Sequence, residues 1–205
     1  MGTIVNPTKI IAIGLNYTDH AIEIKMDLPE RPLIFLKPTT SLIGDGEAII
    51  VPPCVKEVDF EGELAVIIKD KAKNISRSEA GRIVAGYTCA NDITARDVQR
   101  IDGQWTRSKS FDTFCPIGPR VVSDLDPSNL RITTRVNGIM KQDSSTKNMI
   151  FDVFELISFV SEVMTLLPGD VIITGTPPGV GRIRVGDTVE VEIEGIGTLK
   201  NIVAE

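Results

Sequence analysis

The chain has 205 residues, a formal charge of −6 and a single histidine, a length that fits one buried core and is expected to form one domain over residues 1–205. No run of Lys and Arg builds the basic stripe that phosphate binding needs, which argues against a nucleic-acid partner, and three scattered cysteines without CxxC spacing suggest neither disulfides nor zinc and fit a reducing cytoplasm. The N-terminus shows no basic segment followed by a long apolar one, and the apolar run "LISFVSEVMTLL" is interrupted by Glu162, so neither an export signal nor a membrane span is expected.

"KIIAIGLNY" reads as a short buried strand turning at Gly14, and "PLIFLKP" as a second strand closed by Pro38. Residues 17–32 between them are polar, with room for one or two helical turns before Pro29 and Pro32 forbid more. Such a segment can serve as a mobile cover. It carries His20, the side chain whose unperturbed pKa lies near neutrality, three residues before Glu23. A helical turn would place both on one face, where the carboxylate orients the imidazole as a base.

"DFEGELAVII", residues 59–68, poses the main question. With a strand's period of two, Asp59, Glu61 and Glu63 fall on one side and Phe60, Gly62 and Leu64 on the other. The unbroken apolar run from Leu64 to Ile68 suggests a strand entering the core, so its acids sit at a cavity mouth where unpaired carboxylates are costly. A hard divalent cation such as Mg²⁺ or Mn²⁺ would relieve this, given a third oxygen ligand. "NDITARD" offers Asp92, at the end of a predicted strand, and Asp97, which is equally suited to pairing with a surface Arg.

Farther along, Ser76 and Glu79 have capping-box spacing for a short helix ending near Gly86, followed by the strand "GYTCANDIT". Lys109 in "RSKSFDTFCPIGP" suits either the surface or a pocket. Asn137-Gly138 marks a hairpin. Asp152 and Glu155 form a second capping box, opening a helix whose Val153, Leu156, Ile157, Val160, Val163, Met164 and Leu167 recur at helical spacing until Pro168-Gly169. "DVIITGTPPGVG" reads as a strand opening into a loop that is neither a Walker loop nor a dinucleotide fingerprint. That loop is either a rigid turn or a carboxylate holder, using Thr176 and exposed N–H groups such as that of Gly175. A hairpin around Gly195 closes the chain, giving a mostly β organisation with two or three helices.

In order, "GLNYTDHAIE", "DFEGELAVII", "NDITARD", "QWTRSKSFDTFCPIGP", "TGTPPGVG" and "VEIEGIGTLKN" resemble the fumarylacetoacetate hydrolase family. They are closest to its short members, described as acylpyruvate hydrolases, oxaloacetate decarboxylases or tautomerases, and hydroxyheptadienedioate isomerases. The resemblance runs from Ile10 to Val203. It implies an α+β, mainly β fold, a mixed β-sandwich roll with a few short helices, usually assembled as a homodimer. It further implies Mg²⁺ or Mn²⁺ held by Glu61, Glu63 and Asp92, a lid pair of His20 and Glu23, Lys109 and Thr176 in the pocket, and Arg96 and Gln99 holding substrate. Asp59 is left at the rim without a fixed role.

The activity implied is metal-dependent and acts on a small 2-oxo acid through a metal-stabilised enolate. Foremost is hydrolytic C–C cleavage of an acylpyruvate, fumarylpyruvate or acetylpyruvate, releasing pyruvate. Alternatives are oxaloacetate decarboxylation or tautomerisation, isomerisation of 2-hydroxyhepta-2,4-diene-1,7-dioate, and carboxylate binding without chemistry. Two departures touch the pocket wall: Leu15 stands where many relatives have Arg, and the segment at "RIRV" is shorter.

Overall fold

The computed structural model describes residues 5–205; the export-signal reading also involves residues 1–4, which lie outside the described residues. The chain begins with β1 (Ile10–Ile13), α1 (Thr18–Ile24), β2 (Ile34–Lys37), β3 (Leu42–Ile43), β4 (Ala48–Ile50), β5 (Val58–Phe60) and β6 (Gly62–Ile68). The middle holds α2 (Arg77–Ala80), β7 (Val84–Asn91), β8 (Thr94–Ala95), α3 (Arg96–Asp102), α4 (Thr106–Lys109) and β9 (Cys115–Val122). The remainder is β10 (Arg131–Val136), β11 (Ile139–Ser145), α5 (Val153–Val163), β12 (Val171–Ile173), β13 (Gly181–Ile183), β14 (Thr188–Ile193) and β15 (Gly197–Ala204).

These elements give the α+β, mainly β fold. One seven-stranded mixed sheet runs β2-β1-β12-β6-β7-β9-β3, a five-stranded sheet runs β11-β10-β14-β15-β4, and a small sheet runs β13-β5-β8. β6 explains its own apolar run, because both of its faces are covered. Leu64, Val66 and Ile68 pack into a core with Leu156, Ile157 and Val160 of α5 and with Val191 and Leu199 of the second sheet. Ala65 and Ile67 pack on the opposite face with Ile10, Ala12 and Ile173. A third core, including Val58, Phe60, Ile93 and Phe114, backs the small sheet.

Asn137 and Gly138 both take positive φ at the tip of the β10–β11 hairpin, the backbone that a type I′ turn requires. Asp152 caps α5 by accepting from the Phe154 and Glu155 N–H groups, although the structure shows no return bond from the Glu155 side chain. α5 is also shorter than its apolar spacing predicts. It ends at Val163, and Met164 is extended because the following residues pair elsewhere: Ala72 and Leu166 exchange N–H···O bonds of 3.0 and 2.9 Å. The Ser76–Glu79 capping box is present, yet α2 is one turn, and the chain is already a strand at Val84. α3 and α4 depart from the sequence reading, making five α-helices among the described residues, besides four three-residue 3₁₀ turns, rather than two or three helices. Among the described residues, no helix is long and apolar enough to cross a membrane.

One buried carboxylate ties the start of the chain to the sheet. Asp170 accepts from Thr8 N and Oγ1, Lys9 N and Leu167 N and pairs with the Lys9 ammonium. Burial works against its ionisation, but the Lys9 and Thr8 side chains and the Leu167 N–H outweigh it and hold the pKa below the ordinary carboxylate value. A depressed folded-state pKa contributes stability above the unfolded value of about 3.9 and loses it as pH falls through the lower folded value. Asp170→Asn is therefore expected to cost about 3 kcal/mol in urea denaturation at pH 7, with the difference shrinking as pH drops below 3.9. An unchanged midpoint at pH 7 would contradict the role given to this carboxylate.

Candidate active site

The acidic segment is not one continuous strand, which corrects the period-two reading of residues 59–68. It breaks at Glu61, where the chain leaves the small sheet with β5 and enters the large one with β6. Asn91, at the end of β7, holds this junction: its Oδ1 accepts from Glu61 N at 2.9 Å, and the next N–H, of Asp92, donates to Glu61 O at 2.8 Å. Strand ends from two neighbours thus deliver Glu61, Glu63 and Asp92 to one point. All three are buried, with candidate ligand oxygens within 4.8 Å of one another.

Gly62 separates the two glutamates for a steric reason. A Cβ there would lie 2.2 Å from Thr134 Oγ1 and 3.0 Å from Gln142 Oε1, so the five-stranded sheet can pack this closely only against glycine. Gln142, fully buried, accepts from Gly62 N and donates to Thr176 Oγ1 and Pro177 O. Thr176 Oγ1 in turn donates to Gly62 O at 2.9 Å.

Cations balance most of the negative charge. Lys109 Nζ lies 2.7 Å from both Glu61 Oε2 and Asp92 Oδ2, and Lys37 Nζ lies 2.5 Å from Asp92 Oδ1. The Arg96 guanidinium spans Glu61, Asp59 and Gln99. Asp59 therefore anchors Arg96, with Nε 2.8 Å from its Oδ2. Asp97 lies apart from the group and accepts from Lys56 N rather than pairing with an Arg.

Burial would raise the Glu61 pKa, but Lys109 and Arg96 outweigh it and hold it at about 2. Glu63 differs. Burial, with Asp92 and Glu61 beside it, pushes its carboxyl well above the ordinary range, and among the described residues it has no Lys or Arg partner. A buried carboxylate without a cation beside two others is a donor set suited to a hard divalent ion. Burial pushes the Cys115 thiol up to about 12, which makes it unsuited as a nucleophile at neutral pH.

The loop after β12 faces inward. Gly175 has φ +93, and a Cβ there would meet Asn16 Cβ at 2.8 Å and Gly14 O at 3.0 Å, so both conformation and space require glycine. Its N–H donates to Glu63 Oε2 at 2.6 Å, serving a carboxylate of the protein rather than an incoming anion. The other end of the same peptide, Thr174 O, accepts from Asn16 Nδ2 at 2.8 Å. Asn16 also exchanges bonds with Phe151.

The segment from residue 17 onward forms the cover. Asp19 accepts from Ser144 and Asn148 side chains, fixing the start of α1. The next residue, His20, has its Nδ1 2.9 Å from Oε2 of Glu23, one turn on, and Glu23 also accepts from Gly179 N at 3.0 Å. Beneath lies a cavity of about 810 Å³ lined by His20, Glu23, Glu61, Glu63, Arg96, Gln99, Lys109 and Thr176. Asp92 joins through the carboxylate group and Gly175 through Glu63.

Lys37, Asn16, Gln142 and Trp105 were not singled out from the sequence. Only Lys37 left a usable signal, a lone charge inside the apolar strand "LIFLKP". Trp105 packs edge-on against Phe35 with ring centroids 5.2 Å apart.

Comparison with known proteins matches residues 9–204 to the family model described as fumarylacetoacetate (FAA) hydrolase C-terminal. An uncharacterized protein of Methanocaldococcus jannaschii is 61% identical, over 98% of this chain and 85% of its own length. A mitochondrial oxaloacetate tautomerase of Rattus norvegicus is 45% identical, over 98% of this chain and 68% of its own. The crystal structure of 2-hydroxyhepta-2,4-diene-1,7-dioate isomerase from Mycobacterium marinum superposes with a TM-score of 0.93 at 48% identity, covering 99% of this chain and 77% of that one.

If the three carboxylates form one cation site, Glu61→Ala and Glu63→Gln should each weaken Mn²⁺ binding by roughly 100-fold, at the upper end of losses seen even for outer-shell partners. Titration calorimetry reads the affinity and circular dichroism checks the fold. A wild-type dissociation constant in either folded variant would remove that residue from the ligand set.

Proposed function

The chain belongs to the fumarylacetoacetate hydrolase family, and from that membership we propose that it is a divalent-metal-dependent hydrolase of acylpyruvates, of the fumarylpyruvate or acetylpyruvate type, releasing pyruvate. The observation that carries the reading is that the His20–Glu23 pair and the buried carboxylates open onto one cavity. Glu61, Glu63 and Asp92 would hold Mg²⁺ or Mn²⁺, whose positive charge, when bound, offsets the negative charge that develops on the 2-oxo oxygen of the substrate.

The residues of the chain supply the proton transfers. An ionised carboxylate only accepts, so Glu23 fixes the proton on His20 Nδ1 and leaves Nε2 as the base. Nε2 takes a proton from water as the water oxygen adds to the acyl carbonyl. The bond from that carbon to the methylene breaks, its electron pair stays with the pyruvate half, and the methylene carbon regains a proton from His20. The products are a carboxylic acid and pyruvate. Burial works against the charge on Lys109, but Asp92 and Glu61 outweigh it and keep it an ammonium, able to donate to substrate oxygen. Arg96 and Gln99 face the cavity as an already linked pair.

A second reading is favoured by the relatives named above: oxaloacetate tautomerase or 2-hydroxyhepta-2,4-diene-1,7-dioate isomerase. The same His20 would then move a proton between carbon and oxygen without cleaving a carbon–carbon bond. We also propose assembly as a homodimer, supported by exposed apolar side chains such as Ile22 and Ile101, 78% and 79% accessible.

The deciding assay follows acetylpyruvate and oxaloacetate side by side with metal-stripped protein before and after adding Mg²⁺ or Mn²⁺. Metal-dependent pyruvate release from acetylpyruvate is expected, with kcat lowered about 10²–10⁴-fold in His20→Ala and Glu23→Ala and metal affinity unchanged in both. Turnover of oxaloacetate alone would replace hydrolysis by the second reading. Inertness toward both would point to the dienedioates or to a carboxylate-binding protein.

A further inference from the structure

The cavity lining joins two kinds of surface. Beside the carboxylates and the Lys109 ammonium, Leu15, Leu28, Leu33, Phe35, Trp105 and Val180 supply an apolar wall, and the two meet at Phe35, over whose ring Lys109 Nζ lies 5.4 Å from the centroid. This wall is continuous around Gly14: a Cβ there would meet Trp105 Cζ3 at 3.0 Å and Leu33 Cδ2 at 3.1 Å, and Phe35 stands edge-on to Trp105.

Both the Lys and the Arg that line the cavity, among the described residues, already have acidic partners. Lys109 pairs with Glu61 and Asp92, and Arg96 with Asp59 and Glu61, while His20, the proposed base, is bonded to Glu23. The remaining charged lining groups of the cover, Glu23 and Asp27, are acids. A second substrate carboxylate, beyond the one the metal would hold, would thus lie against apolar surface near like charges, with no unpaired cation to receive it. An alkyl or aryl group there would cover the wall and displace water from it.

We infer that the site selects 2-oxo acids with a single carboxylate and an uncharged, apolar distal group, and that Leu15 is a determinant of this selection. The inference rests on the proposed 2-oxo acid chemistry and narrows it to acylpyruvates with hydrocarbon acyl groups, ahead of fumarylpyruvate and the dienedioates. A short acid such as acetylpyruvate leaves most of the wall uncovered, so longer acyl chains are the better substrates.

Binding separates this inference from the reaction. Mg²⁺-loaded protein is titrated calorimetrically with 2-oxohexanoate and with 2-oxoadipate, which have the same number of carbons and the same 2-oxo acid head but differ in a distal carboxylate. The monoacid is expected to bind at least about tenfold tighter, the cost of an unpaired charge on apolar surface being larger than that. Leu15→Arg, at a partly exposed position, is expected to reverse the ranking. Equal or tighter binding of 2-oxoadipate to the wild-type protein overturns the inference and leaves the 2-oxo acid reading standing. Failure of both acids to bind overturns that reading and the inference with it. A Leu15→Arg variant with the wild-type melting temperature and the wild-type ranking removes Leu15 as the determinant.

Discussion

Glu61, Glu63 and Asp92 hold ligand oxygens within 4.8 Å of one another in the interior, and nearly every other feature of the site answers the repulsion this creates. Two like charges at such a spacing repel by about 3 kcal/mol even at an effective dielectric constant near 20. Lys37 and Lys109 are buried to meet that repulsion. Arg96 meets it from the rim and is itself held by Asp59. The balance stops one charge short at Glu63, whose partner among the described residues is the Gly175 N–H. That shortfall is what a divalent cation fits. With such an ion the surplus becomes positive by one, the charge that a single substrate carboxylate neutralises.

The geometry depends on close approach between sheets. Gly62 admits the five-stranded sheet to the back of the E-G-E segment, and Gln142 bonds both the glycine N–H and the loop that carries Thr176. The Thr174–Gly175 peptide is bonded at both ends, to Asn16 and to Glu63. This peptide therefore links the end of β1, through Asn16, to the Glu63 carboxylate.

Much of this was legible in the sequence, and the limit follows from chain separation. Local signals held where one segment decides its own structure: the Asn137-Gly138 turn, the Asp152 cap, the His20–Glu23 spacing, and the apolar run of β6, whose two covered faces account for its lack of alternation. Features set by distant partners were hidden. Lys37 meets Asp92 across 55 positions, Gln142 meets Gly62 across 80, and Asn16 meets Phe151 across 135. α5 stops early because Leu166 pairs with Ala72, against apolar spacing that would continue it. The break at Glu61 was equally invisible, since alternation says nothing about which sheet a strand joins. α3 and α4 escaped because they are short and two of their residues, Arg96 and Lys109, are held by buried acids rather than arranged as an apolar stripe.

Glu23 is shared between His20 and the Gly179 N–H, so the latch of the cover and the support of the proposed base are one side chain. Were the cover to lift, the contact with residue 179 would break, and Glu23 would lose the anchor that fixes it relative to the loop after β12. An open cavity would then lack a positioned imidazole, so closing the cavity and placing the base over it would be one event.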